Sequence, residues 1–214
     1  MSRKLVYCVA CTVDGFIARD DGSFDWALSQ GEHFADLVER FPETFSAHWR
    51  QALGMSAPAR RFETVLMGRR TYEVALSQGI TSPYAPLRQF VVSRSLPEAP
   101  NAPVHVHRED PLELVRQLKA EQGKDIWLCG GGRLAAGVFT EIDELILKIN
   151  PVLIGSGVAL FAGAVGTERA TLVEHKVYPN GFVLACYECL RSPQQSVTRG
   201  EDFQQALRAP GLLQ

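Results

Sequence analysis

The sequence predicts a three-layer α/β/α domain whose central sheet is mostly parallel and ends in an antiparallel C-terminal hairpin. Short, nearly continuous apolar runs at residues 4–11, 62–67, 89–93, 125–129 and 144–150 read as strands buried on both faces, as parallel strands are. Segments of helical apolar spacing fall between several of them, the order that a parallel sheet with crossover helices requires. Near the end, Pro179-Asn180-Gly181 separates residues 171–178 from 182–190 and is the strongest hairpin signal in the chain.

The first run, 4–11, leads into a loop punctuated by Gly15 and Gly22 and carrying Trp26, which is either a lid over a site or the anchor of its own loop. Residues 31–53 have helical spacing through Phe34, Leu37, Val38, Phe45, Trp49 and Leu53, and Pro42 divides or kinks the helix. The strand at 62–67 runs into Gly68-Arg69-Arg70-Thr71, which opens a short helix, and 78–87 is loop. A third strand ends in Ser93-Arg94-Ser95, and a short one follows at 104–107. Asp110-Pro111-Leu112-Glu113 places Asp at the N-cap, Pro at N1 and Glu at N3, so a helix starts there and stops at Gly123. The strand at 125–129 meets Gly130-Gly131-Gly132, and a helix runs from about Arg133 to about Thr140. Pro151 closes the strand at 144–150, and the glycine-interrupted run 152–161 reads as a loop beside the sheet. The domain spans 1–190; residues 191–214 read as a polar tail, loose or with a short docked helix.

With 214 residues, 46% of them hydrophobic, there is ample core for one domain, and a net charge of −2 points to neither nucleic acid nor membrane as partner. The start of the chain shows no hydrophobic signal region, which sets the expected location as the cytoplasm. Two pairs have C-x-x-C spacing, Cys8/Cys11 and Cys186/Cys189, but residues i and i+3 of a strand point to opposite faces, so no metal is expected there. His105 and His107 share a strand face without a third ligand and read as surface residues.

Three strand ends carry polar equipment: Gly68 to Thr71, Ser93 to Ser95, and Gly130 to Gly132. In a parallel sheet they lie along one edge, where α/β proteins hold ligands. Glycine amides and Thr71 suit a diphosphate, and Arg69, Arg94 and the serines suit one more phosphate, because guanidinium pairs with phosphate in a bidentate way. A diphosphate plus a phosphate describes NADPH better than NADH. Gly130-x-Gly132-x-x-Ala135 also fits a Rossmann fingerprint, but the acidic residue that fingerprint needs about 20 positions on is replaced by Asn150-Pro151.

At these residues the chain resembles the dihydrofolate reductase superfamily, in the branch of stand-alone proteins similar to the C-terminal reductase domain of bifunctional riboflavin-biosynthesis enzymes. The matching pieces, in the family's order, are Thr12-Val-Asp-Gly-Phe-Ile-Ala18 with Asp25-Trp26, Met67-Gly-Arg-Arg-Thr-Tyr-Glu73, Val91-Val-Ser-Arg-Ser95, Leu128-Cys-Gly-Gly-Gly-Arg-Leu134 and Pro151-Val-Leu-Ile-Gly-Ser-Gly157. The resemblance implies NADPH across the C-terminal edge of the sheet. It puts Gly68, Arg69, Arg70, Thr71, Gly130, Gly131, Gly132, Arg133 and Leu134 at the diphosphate, Arg69 with Ser93, Arg94 and Ser95 at the 2′-phosphate, and Ala10, Gly15 and Ile17 along the nicotinamide. For catalysis it points to Trp26 and to an acidic residue on the following helix, with Asp36 the candidate beside Glu32 and Glu39; the same three carboxylates also fit an ordinary solvated face. Cys8, Trp26 and Lys148 are the expected substrate contacts. Cys8 stands where the riboflavin-type reductases carry a lysine, and Lys148 either snorkels from a strand end or holds an anionic substrate.

The expected activity is hydride transfer to a C=N or C=O group of a small heterocycle. The alternatives are a riboflavin-pathway or dihydrofolate reductase proper, and an NADP(H)-binding sensor without turnover. The expected assembly is a homodimer through the C-terminal hairpin.

Overall fold

The computed structural model describes residues 2–97, 103–163 and 165–190, so the expected tail at 191–214 lies outside the described residues. In chain order the elements are β1 (Leu5–Thr12), β2 (Phe16–Ala18), α1 (Glu32–Arg40), α2 (Ala47–Ala52), β3 (Phe62–Gly68), α3 (Arg69–Leu76), β4 (Arg88–Val92), β5 (Val104–His107), α4 (Pro111–Ala120), β6 (Asp125–Gly130), α5 (Gly132–Gly137), β7 (Glu144–Asn150), β8 (Val158–Ala159), β9 (Arg169–Val177) and β10 (Val183–Leu190). The main sheet has the order β5-β4-β3-β6-β1-β7-β10-β9. The strands from β5 to β7 are parallel; β10 runs antiparallel to β7, and β9 antiparallel to β10.

Burial explains why the inner strands read as continuous apolar runs. In β1, Val6 and Cys8 face one core with Phe62, Met67, Trp127 and Leu37 of α1. Leu5, Tyr7 and Val9 face a second core with Leu66, Val115, Leu118 and Leu134. β1 is thus covered on both sides, giving the three layers. Cys186 packs in the first core and Cys189 against the second, as alternation along a strand dictates. At the start of α4, Asp110 Oδ1 accepts from the Leu112 amide at 3.0 Å, the cap that the sequence announces.

Two expectations change. The 152–161 segment contributes β8, which pairs with β2 in a small separate sheet. The helix after the glycines ends at Gly137 and gives way to a 3-10 turn at Phe139–Glu141, because glycine weakens a helix interior. The hairpin carries apolar residues on both strands: Leu184, Ala185 and Cys186 of β10 are buried, whereas all nine residues of β9, Leu172, Val173 and Val177 among them, are exposed at the sheet's edge. No helix among the described residues is long and apolar enough to cross a membrane.

Candidate active site

A continuous cleft of about 1670 Å³ runs along the C-terminal edge of the parallel strands. Pockets for one drug-sized ligand are roughly 300–1,000 Å³, so this one has room for two.

One half is built from glycines and arginines. β3 and β6 are neighbours, which brings their terminal junctions together: a Cβ on Gly68 would lie 3.4 Å from the Gly131 nitrogen. A Cβ on Gly130 or Gly131 would have Thr71 Oγ1 as its nearest neighbour, at 3.9 and 3.8 Å, so the bare backbone here faces open cleft and a hydroxyl. Gly132 differs, because its Cβ would meet the Ala159 carbonyl oxygen at 2.1 Å. That glycine permits close packing of the chain after β8, whose Ala162 amide donates to the Gly132 carbonyl at 3.0 Å. Arg69, Arg70, Arg94, Arg108 and Arg133 all line this half. Arg69 Nη1 donates to Ser95 Oγ at 3.0 Å and Nε lies 3.6 Å from Glu73. The Ser93 hydroxyl accepts from the Leu96 amide at 2.9 Å, and Arg108 donates to the Arg94 and Leu96 carbonyls, so the turn after β4 is held rigidly. Ser95 itself does not line the cleft; Arg69 reaches it from the rim.

The other half lies beyond the end of β1. Ala10 and Ile17 line its entrance, and Cys8, Lys148, Trp127 and Cys129 its floor. Gly15 is a turn residue at φ 84° outside the lining. Its neighbour Asp14 accepts from the Ile154 and Gly155 amides at 3.0 and 2.8 Å, which ties the β1–β2 loop to the β7–β8 loop. Burial raises the thiols of Cys8, Cys11 and Cys129, the latter two to about 11, against an opposing pull from the Lys148 ammonium. All three are protonated thiols at neutral pH, so the floor holds no thiolate nucleophile.

Two expected catalytic residues are placed elsewhere. Asp36 points away from the cleft: it accepts from the Tyr178 hydroxyl and from Lys176 at 3.2 Å, and Arg40 lies 3.9 Å away. Burial pushes its carboxyl up, but the bonds from Tyr178 and Lys176 outweigh this and leave it below the usual range. Glu39 pairs with Arg60, and Glu32 is exposed outside the lining. Helical spacing gave these carboxylates one face; the packing of α1 turns that face from the cleft. Trp26 is buried and does not line the cleft, whereas Phe24, Asp25, Ala27 and Leu28 around it do. The tryptophan is the loop's anchor.

Phe34, Phe45 and Trp49, which the sequence marks only by helical spacing, form an aromatic wall. Phe34 stands edge-on to Phe45 with centroids 5.3 Å apart, and 6.3 Å from Trp49. Helical periodicity marks an inward stripe but does not separate core from cleft wall. Arg108 was also missed, although it follows β5 as Arg94 follows β4, and the same strand-end reasoning finds it.

The chain has relatives that bear on this site. A family model described as the RibD C-terminal domain matches residues 3–184. The uncharacterized protein YwjB of Bacillus subtilis (strain 168) is 32% identical over 163 residues, covering 75% of this chain and 84% of that protein. Among solved structures, a putative riboflavin biosynthesis protein from Shewanella sp. PV-4 superposes with a TM-score of 0.64 at 22% identity, covering 89% of this chain and 100% of that one. Dihydrofolate reductase from Enterococcus faecalis, complexed with NADP(H) and RAB-propyl, gives a TM-score of 0.59 at 14% identity, covering 88% and 99%. The fold is that of the dihydrofolate reductases, and the chain belongs to the RibD C-terminal domain family.

Proposed function

We propose that this protein is an NADPH-dependent reductase of a small planar heterocycle. The observation that carries the reading is the cleft's division into an arginine-lined half with open glycine backbone and a second half walled by aromatic rings. The residues fit the cofactor: a Cβ at Gly130 or Gly131 would occupy the space a diphosphate needs beside Thr71, and Arg69 and Arg94 stand where a further phosphate completes NADPH. The neighbours lend support, since the Enterococcus faecalis enzyme is described with NADP(H) and a Thermotoga maritima neighbour as a phosphoribosylaminouracil reductase. Bound there, NADPH supplies a hydride from nicotinamide C4 to a C=N or C=O carbon.

The chain's own part is positioning. Ala10 and Ile17 flank the nicotinamide end, and Cys8, Trp127 and Lys148 form the floor on which the substrate rests. With Asp36 turned away, the proton comes from Lys148 or from water. The test is titration with NADPH and NADH, followed by NADPH oxidation with a panel of pyrimidines, pterins and carbonyl compounds. Tighter binding of NADPH than NADH with turnover of one panel member is the expected result; equal affinity for both nucleotides overturns the cofactor assignment. The absence of a carboxylate from the described floor favours one second reading, an NADP(H) sensor, which tight binding without turnover would select. A homodimer remains part of the proposal, supported by the exposed edge and faces of β9.

A further inference from the structure

The two halves of the cleft carry opposite charge. Every arginine in the lining belongs to the nucleotide half: Arg69, Arg70 and Arg133 at helix starts, Arg94 and Arg108 after β4 and β5. The loop over the other half contributes Asp20, Asp21 and Asp25 to the lining, all exposed. Asp20 is held by the Ser156 hydroxyl at 3.0 Å, Asp25 by Arg19 at 2.9 Å, and Asp21 by the Ser23 amide at 2.8 Å, so these carboxylates are fixed at the rim. Among the described residues Asp20 and Asp21 have no salt-bridge partner, and the one guanidinium near the rim, Arg19, lies outside the lining and is paired to Asp25, so the rim disfavours a phosphate ester.

Beneath the rim the walls are apolar. Phe34, Phe45 and Trp49 stand on one side and Phe182 and Trp127 deeper in. Several polar atoms deep on this side are engaged: Trp127 Nε1 donates to the Cys8 carbonyl at 2.8 Å, the Tyr84 hydroxyl meets Cys129 Sγ at 3.6 Å, and Asn150 binds the Leu28 amide and the Lys148 carbonyl. Among the described residues the Lys148 ammonium has no ion pair or hydrogen bond, and it is the cation at this end of the floor.

We infer that this half takes an unphosphorylated planar aromatic or heteroaromatic carbonyl compound, its ring against Phe34, Phe45 and Trp49 and its oxygen at Lys148 Nζ. This deepens the reductase reading and rests on it. Hydride addition to the carbonyl carbon moves the C=O π pair onto oxygen. Lys148 gives that oxygen its proton, forming the O–H bond, and the resulting amine takes a proton back from water. An ammonium positioned at the developing oxyanion serves as both charge partner and acid.

The test separates substrate from nucleotide. 2-Naphthamide, a neutral aromatic carbonyl compound, is titrated into the nucleotide-free protein and followed by tryptophan fluorescence, with ribose 5-phosphate as the phosphorylated competitor. Saturable quenching is expected, weakened at least tenfold in both Lys148→Met and Phe34→Ala and not displaced by ribose 5-phosphate. NADP⁺ binding, measured separately on the same variants, should not change. Displacement by ribose 5-phosphate, an unchanged affinity in Lys148→Met, or no quenching at all overturns the substrate class, whatever NADP⁺ does; loss of NADP⁺ binding in the wild type overturns only the cofactor reading.

Discussion

Arg69 Nη1 donates a 3.0 Å hydrogen bond to Ser95 Oγ, joining the first turn of α3 to the turn after β4. The two segments are far apart in sequence and meet because β3 and β4 are parallel neighbours whose ends coincide. A guanidinium held by a hydroxyl on one side keeps its other donors in a fixed direction, which lowers the cost of binding an anion. Arg69→Ala combined with Arg94→Ala should therefore weaken NADPH about tenfold to a hundredfold, since a charge-assisted bond contributes about 1.5–3 kcal/mol. NADH affinity, measured by the same titration, should move little. An equal loss for both nucleotides would place these arginines at the diphosphate instead.

Asp36→Asn gives a different kind of result. The carboxyl lies on the outer face of α1 with Tyr178, Lys176 and Arg40, so turnover should be unchanged while stability falls by about 1 kcal/mol, a value discounted for the partial exposure of these partners. The folded state lowers this carboxyl below its ordinary value of 3.8. Its contribution is therefore fully present above that value and fades as pH falls through the folded one. Urea unfolding of wild type and Asp36→Asn should differ by a constant amount above about pH 5 and converge in stronger acid. A change in kcat at neutral pH would restore the catalytic role that the geometry removes.

How far the site was legible depends on what each residue's neighbours are. The strand-end junctions at Gly68, Ser93 and Gly130 could be read because parallel order forces strand ends to one edge, whatever the side chains do. Asp36 could not be placed, because three carboxylates at helical spacing define a face without saying which way the helix is rolled against the sheet. Phe34, Phe45 and Trp49 failed for the converse reason: an apolar stripe looks the same whether it meets a core or a cleft. The exposure of β9 was not legible, since the turn signal at Asn180-Gly181 fixes a hairpin but leaves open whether any layer covers the outer strand.

Asp14 offers a test of the loop that borders the proposed nicotinamide end. Its carboxylate accepts from the amides of Ile154 and Gly155, and a hydroxyl bond from Thr12 sets its position. Asp14→Ala removes the clasp between the two loops without touching the cleft floor. Hydrogen exchange should accelerate at the amides of Ile154 and Gly155 while the protection of β1 and β6 stays at wild-type levels. If instead those two amides keep their protection, the loops are held by the β2–β8 pairing and not by Asp14.

The glycines after β6 divide their labour, and alanine substitution should show it. At Gly132 a methyl group would lie 2.1 Å from the Ala159 carbonyl oxygen and 3.1 Å from the Ala162 amide nitrogen, both backbone atoms with no flexible side chain to yield. Gly132→Ala must push the segment after β8 off α5 and break the Ala162–Gly132 hydrogen bond, so it should cost about 3 kcal/mol or prevent folding. At Gly68 the backbone is extended, with φ −76°, and a methyl group would stand 3.4–3.5 Å from the Gly131 nitrogen and the Gly130 oxygen, ordinary contact distances. Gly68→Ala should melt within a few degrees of wild type, yet show a reduced upward shift of Tm on adding NADPH, because the new methyl narrows the cleft where the two junctions meet. Thermal unfolding with and without NADPH reads both effects. A normal Tm for Gly132→Ala would mean that the β8 segment has slack the packing does not show, and would give Gly132 the ligand role proposed for Gly130 and Gly131.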